Sequence, residues 1–206
     1  KNGAVLIFDE ITTGFHENLG GLHLKFKVDP DMAIFGKALG NGHPISAVIG
    51  KRKIMDFAQK TFISSTMWTE SIGFIAGITA LNKMKKLNVQ KNLVKYGKKI
   101  KTGWAKVARK NGIKISINGL NSLPVFRFEY QNKKEISTYF TQEMLKLGFL
   151  AKEAIAITNV YDDKIINKYL RCVDKVFNKI KKIQSKKEKF PLKGPLKHST
   201  LRKISY

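Results

Sequence analysis

The residues that most constrain this chain are Pro30-Asp31-Met32-Ala33-Ile34-Phe35-Gly36-Lys37-Ala38-Leu39-Gly40-Asn41-Gly42. Four apolar residues, Met32 to Phe35, lie between turn-formers, a run too short for a helix and suited to a buried strand. The strand stops at Gly36, delivers one lysine and enters a glycine-rich turn. In open α/β sheets the chemistry lies just beyond the carboxyl ends of the strands. A lysine there is expected to be partly walled off from water, which lowers its ammonium pKa and frees a nucleophilic amine. A second strand end lies upstream. Val5-Leu6-Ile7-Phe8 is a continuous apolar run, as expected of a strand buried on both faces, and it ends in Asp9-Glu10. A carboxylate and a lysine at the ends of two such strands make a candidate site.

Composition bounds the function classes. A chain of 206 residues, 43% hydrophobic, can bury a substantial core as one domain or two. Its single cysteine, Cys172, excludes an internal disulfide framework and fits a reducing compartment, hence an expected cytoplasmic location. No stretch approaches the ~20 apolar residues that span a bilayer. The opening Lys1-Asn2-Gly3-Ala4 has no initiator methionine and no apolar signal core, and it leads directly into a strand. The chain is therefore expected to be cut inside a domain.

The formal charge of +24 invites a nucleic-acid reading. Against it, the lysines run along the whole chain, and arginine occurs only at 52, 109, 127, 171 and 202. No recognised nucleic-acid-binding signature is present, so specific nucleic-acid binding is not expected. His16, His23, His43 and His198 lack the paired spacing of metal ligands, and no metal site is expected.

Taken in order, residues 1–50 read as strand, loop, strand, glycine turn and strand, with Ala47–Gly50 as the third strand. Lys51 to Gln59 reads as a short helix. The cluster Phe62-Ile63-Ser64-Ser65-Thr66-Met67-Trp68-Thr69-Glu70 precedes a helix over Glu70 to Leu87, and its hydroxyls suit either a phosphate or a helix cap at Thr69 or Ser71. That helix carries Gly73, Ala76, Gly77 and Ala80 as a close-packing stripe. A second long helix, Val89 to Lys110, has Leu93-Val94, Tyr96, Ile100, Trp104 and Val107-Ala108 near one face and lysines on the other. Asn111-Gly112 stops it and opens a smaller domain. There, strands over Ile113–Ile117 and Val125–Tyr130, a helix over Lys134–Leu147, a strand pattern over Phe149–Ile157 and a helix over Asp162–Ile183 follow. Residues 186–206 read as a basic extension with little core. The expected domains are thus 1–110, 111–185 and that tail.

Leu6-Ile7-Phe8-Asp9-Glu10-Ile11-Thr12-Thr13-Gly14-Phe15, Leu19-Gly20-Gly21, Pro30-Asp31 and Gly36-Lys37 together resemble the class III pyridoxal-phosphate-dependent aminotransferases, in particular the glutamate-1-semialdehyde 2,1-aminomutase-like members. The resemblance is tight over the first fifty residues and looser over most of the rest. It implies an α/β, fold type I structure: part of a large, mostly parallel-sheet domain plus a small C-terminal α/β domain. It also implies pyridoxal 5′-phosphate as cofactor, with Lys37 forming the internal aldimine and Asp9 contacting the pyridine nitrogen. Thr66 matches the threonine that reaches the cofactor phosphate of the neighbouring subunit, which implies a homodimer with shared active sites.

Two departures stand out. His16 occupies a position commonly held by arginine, and Thr69-Glu70-Ser71 stands where many members have Gly-Asn-Pro. The implied activity is amino-group transfer between small molecules. An intramolecular aminomutase and an inactive, truncated basic interaction protein are the alternatives. Family members also need an upstream phosphate loop and a ring-stacking aromatic residue, which nothing before Val5 supplies. The isolated 206 residues are therefore expected to be a C-terminal half with little or no activity.

Overall fold

The computed structural model describes residues 3–64, 66 and 68–198. The chain divides into two compact units, Lys1–Val94 and Lys95–Tyr206.

The first unit holds a three-stranded sheet. Strand β1 (Ile7–Asp9) pairs in parallel with β2 (Met32–Phe35), and β2 pairs antiparallel with β3 (Ala47–Gly50). Helix α1 (Leu22–Lys25) lies in the β1–β2 connection, and a 3₁₀ turn, Lys37–Leu39, follows β2 directly. Ala33, Phe35 and Leu39 form the buried core, with Phe8, Phe15, Ile45, Ala47 and Leu81 packed against it. β2 is the central strand and buries alternate residues. The expectation that Val5–Phe8 is buried on both faces does not hold: Val5, Leu6 and Ile7 are exposed. An apolar run records the preference of its residues, not what packs on them, and among the described residues β1 pairs only with β2.

Beyond β3 come α2 (Arg52–Met55) with a 3₁₀ continuation to Lys60, then α3 (Ile72–Lys86). Ser71 is the N-cap residue of α3 but its hydroxyl makes no capping bond; instead the Glu70 carboxylate accepts the Ile72 N–H at 3.1 Å. The small stripe faces inward, with Gly73, Gly77 and Ala80 buried.

Helix α4 (Val89–Asn111) ends as the sequence predicts. Gly112 takes φ +62°, the Ile113 N–H bonds the Ala108 carbonyl and the Gly112 N–H bonds that of Arg109. These paired bonds satisfy two orphan carbonyls, and the left-handed residue between them favours glycine. In the second unit β4 (Ile115–Gly119) pairs antiparallel with β5 (Pro124–Phe128), flanked by α5 (Lys133–Lys146) and α6 (Asp163–Ser185). Pro124 opens β5. The Asp162 carboxylate caps α6 by accepting the Ile165 N–H at 2.7 Å. A Cβ at Gly97 would lie 1.5 Å from the Asn121 carbonyl oxygen, so α4 and the β4–β5 turn meet at a contact only glycine allows.

Two expectations for this unit need correction. Phe149–Ile157 is not a strand: it touches β5 through one bridge, Val125 to Ala154, and bonds such as Phe126 N–H to the Glu153 carbonyl at 2.9 Å. Alternation shows which side chains turn inward, and Ile157 is buried, but a ladder also needs a partner in register over several residues. Nor does the described part of the tail lack a core. Phe190 is only 8% exposed and packs on Tyr139 with ring centroids 5.2 Å apart. The Lys197 ammonium reaches Ser137 and both oxygens of Glu153.

Glu143 is a buried carboxylate between α5 and α6. Burial pushes its pKa up, but hydrogen bonds from Lys146, Lys179 and Gln142 outweigh this and hold it at about 2, below the ordinary 4.5. A depressed carboxylate pKa supplies stability above the unfolded value and loses it as the pH falls towards the folded one. Acid unfolding of this unit is therefore expected to steepen between pH 4.5 and about 2, and Glu143→Gln should flatten that limb in circular-dichroism titrations. Superimposable wild-type and variant curves would refute it.

Candidate active site

The parallel pairing of β1 and β2 sets Asp9 opposite Ile34, so Asp9 and the Gly36-Lys37 step lie at the same end of the sheet. Both emerge at the carboxyl ends of their strands, the edge at which open α/β sheets place their chemistry. Gly36 is fully extended and Lys37 takes φ +42°, a left-handed conformation that is costly for a residue with a Cβ. Such strain persists only where surrounding structure imposes it, and it clusters at functional positions. Here the 3₁₀ turn and its bonds, including Leu39 N–H to the Gly36 carbonyl at 2.9 Å, impose it.

Lys37 is exposed rather than walled off, which corrects the expectation of a desolvated ammonium. Its Nζ donates to Thr12 Oγ1 at 2.6 Å. Asp9 accepts the Ile11 N–H through Oδ1 at 3.0 Å, and its other oxygen has no partner among the described residues. That open oxygen can take a protonated ring nitrogen, and the Lys37 amine can take an aldehyde. Those are the two polar demands pyridoxal phosphate makes at opposite ends of its ring, so the residues present fit the group.

The connection between β1 and β2 is held by Glu10, which is only 1% exposed. Its carboxylate accepts the Thr13 hydroxyl, the His23 N–H at 2.9 Å and His23 Nδ1 at 3.1 Å. Burial raises the Glu10 pKa, but the Thr13 hydroxyl, the backbone N–H groups of Leu22 and His23 and the His23 ring outweigh it, and the net direction is down. Glu10 thus fixes both ends of the loop that carries Thr12. Sequence reasoning missed Thr12 and Glu10 as site residues. The signal was their place beside Asp9, but only the fold shows that the loop returns over Lys37.

Thr66 is exposed on the loop before α3, away from β1 and β2 in sequence, while Ser65 and Met67 lie outside the described residues. His16 is partly buried, and its Nδ1 has no partner among the described residues. Burial pulls its pKa below 6.5 despite Glu17, so the ring is neutral near pH 7 and does not reproduce the charge of an arginine. Among the described residues no cluster of three or more His, Cys, Asp or Glu is placed to hold a metal ion.

Comparison with known proteins points the same way. The family model described as Aminotransferase class-III matches residues 1–183. A glutamate-1-semialdehyde 2,1-aminomutase from Natranaerobius thermophilus is 31% identical over 196 residues, covering 87% of this chain and 46% of the relative. A 3-aminobutyryl-CoA aminotransferase from Cloacimonas acidaminovorans is 34% identical over 143 residues, covering 67% and 34%. The FumI protein of Sphingopyxis sp. MTA144, solved in its pyridoxal-phosphate internal aldimine form, superimposes with a TM-score of 0.84 at 21% identity, covering 92% of this chain and 46% of that one. The chain therefore spans between a third and a half of the length of the proteins it matches.

Proposed function

This chain belongs to the class III aminotransferase family, the fold type I transferases that work with pyridoxal 5′-phosphate, and we propose that it carries the covalent anchor of an amino-group-transferring enzyme. The observation that carries the reading is the placement of Asp9 and Lys37 at the same end of two parallel, neighbouring strands. When bound, the cofactor supplies an electron sink for the substrate carbon that loses its proton. Lys37 offers the amine that bonds to the cofactor and, once released, moves a proton to and from that carbon as general base and acid. Asp9, as a carboxylate, keeps the ring nitrogen charged, since opposite charges in contact favour the charged form of both. Thr12 holds the Lys37 Nζ between these tasks, and Thr66 is the proposed phosphate contact across a homodimer.

In the same proposal residues 1–110 form the C-terminal part of a large cofactor domain, 111–185 a small domain and 186–206 a basic extension. Among the described residues no helix is long and apolar enough to cross a membrane. The cysteine content and free, buried Cys172 support a reducing, cytoplasmic setting. Aminomutase chemistry is a second reading, favoured by the 31% identity to a glutamate-1-semialdehyde 2,1-aminomutase.

Incubation with pyridoxal 5′-phosphate, borohydride reduction and peptide mapping tests the anchor. One reduced adduct at Lys37 is expected, and labelling spread evenly over the lysines would overturn the reading. In the active enzyme, turnover that requires an added amino acceptor marks a transaminase, and turnover without one marks a mutase. Replacing the lysine's partner gives a finer check. Thr12→Val keeps the shape but removes the acceptor, a charge-assisted bond whose loss costs about 1.5 kcal/mol. Proton transfer should slow about tenfold while the adduct at Lys37 persists. An unchanged rate would remove Thr12 from the site.

A further inference from the structure

We propose that the second unit binds a small phosphate-bearing anion in the cleft between β5 and the first turn of α5. The cleft encloses about 350 Å³, within the range of small-molecule sites. Arg127, Lys133, Lys134, Lys152 and Lys197 stand on its walls against two carboxylates, Glu129 and Glu153. Both acids are engaged. Glu129 accepts the Ser116 hydroxyl at 2.5 Å, and Glu153 holds the Lys197 ammonium at 2.7 and 2.8 Å. The side chains of Arg127, Lys133, Lys134 and Lys152 have no hydrogen-bond or ion-pair partner among the described residues.

A lysine-rich unit would show solvated cations everywhere, so the distribution matters. Residues 95–206 hold 27 Lys and Arg against 8 Asp and Glu. Elsewhere the acids draw lysines to themselves: Lys99 to Asp163, Lys110 to Asp174, and Lys146 and Lys179 to Glu143. In this cleft four unpaired cations line one concavity with a single carboxylate, Glu129, that no lysine pairs, which leaves a net positive charge there. The amino end of α5, which no side chain caps, lines the same cleft through Lys133 and Lys134 and sets the positive end of a 14-residue helix there, although the N–H groups of Lys133, Glu135 and Ile136 already bond the carbonyls of Tyr130 and Asn132. A guanidinium fork, lysine point charges and the positive end of a helix together match the several oxygens of a phosphate ester or pyrophosphate. A lone carboxylate would leave most of that charge unneutralised. The half-buried Val125 on the wall leaves room for a modest apolar portion.

This site is independent of the amino-transfer reading, and its test needs no cofactor. The full chain is titrated calorimetrically with inorganic pyrophosphate at physiological ionic strength. Saturable binding of one equivalent is expected, weakened about tenfold or more by Arg127→Gln and by Lys134→Gln, as for loss of one charge-assisted bond. These residues are exposed, so the variants should fold, which circular dichroism verifies. Lys98→Gln combined with Lys164→Gln removes charge away from the cleft and should change affinity less than about twofold. Absence of saturable binding would overturn the proposal. So would equal weakening by the distant pair, or preferential binding of duplex DNA with that same insensitivity to position, both of which would mark a general polyanion surface.

Discussion

Lys37→Ala is expected to abolish covalent attachment of pyridoxal phosphate at that position and to lower amino transfer by at least about a thousandfold. Loss of the proton-transfer role alone removes about 10²–10⁴ in rate, and loss of the amine adds to it. The variant should fold normally. Lys37 is exposed, its side chain bonds Thr12 alone among the described residues, and alanine meets the same left-handed strain that lysine does at φ +42°. Lys37→Arg separates charge from chemistry: it keeps a cation beside Thr12 but cannot form the bond, so it should be as inactive as the alanine variant. Mapping the reduced adduct by mass spectrometry and measuring turnover on the same samples checks both. A Lys37→Ala enzyme within tenfold of wild type would end the assignment of Lys37.

The largest stability effect is expected at Phe126. It is fully buried on β5, and its ring meets Trp104, Phe128, Phe140 and Phe177 edge-on at centroid distances of 4.8 to 5.9 Å. Truncation to alanine removes the transfer energy of a whole ring and leaves a cavity that four aromatic neighbours on different elements cannot close together. Phe→Ala at such sites costs about 3–5 kcal/mol, and lost edge-to-face pairs add to it. That is a large part of the stability of a unit this size. Urea unfolding followed by Trp104 fluorescence reads the unit directly, because the indole is fully buried and donates to Tyr169 at 3.0 Å. A shift worth less than about 1 kcal/mol would mean the cluster repacks.

Much of this was legible from residues alone. The Gly36-Lys37 stop, the Asp9-Glu10 strand end, the long helices with Ile100 and Trp104 inward, and the Gly112 stop all follow from local rules of turn chemistry and periodicity. Those rules concern what a residue does to its own backbone, so no partner need be known. The misreadings share the opposite character. The burial of Val5–Phe8, the strand over Phe149–Ile157 and the bare tail each depended on what packs alongside, and neither composition nor period carries that information.

The sequence by itself determined where the strands end, which residues stand at those ends and which family the motifs resemble. Only the tertiary structure decided that β1 and β2 run parallel and adjacent, which places Asp9 and Lys37 at one edge. It also showed that the buried Glu10 bends the intervening loop back until Thr12 meets Lys37, and that four cations from β5, α5 and the segment after α5 share one cleft. Chain-local sterics fix the elements, but approach between elements is set by burial and by the partners that buried polar groups must find.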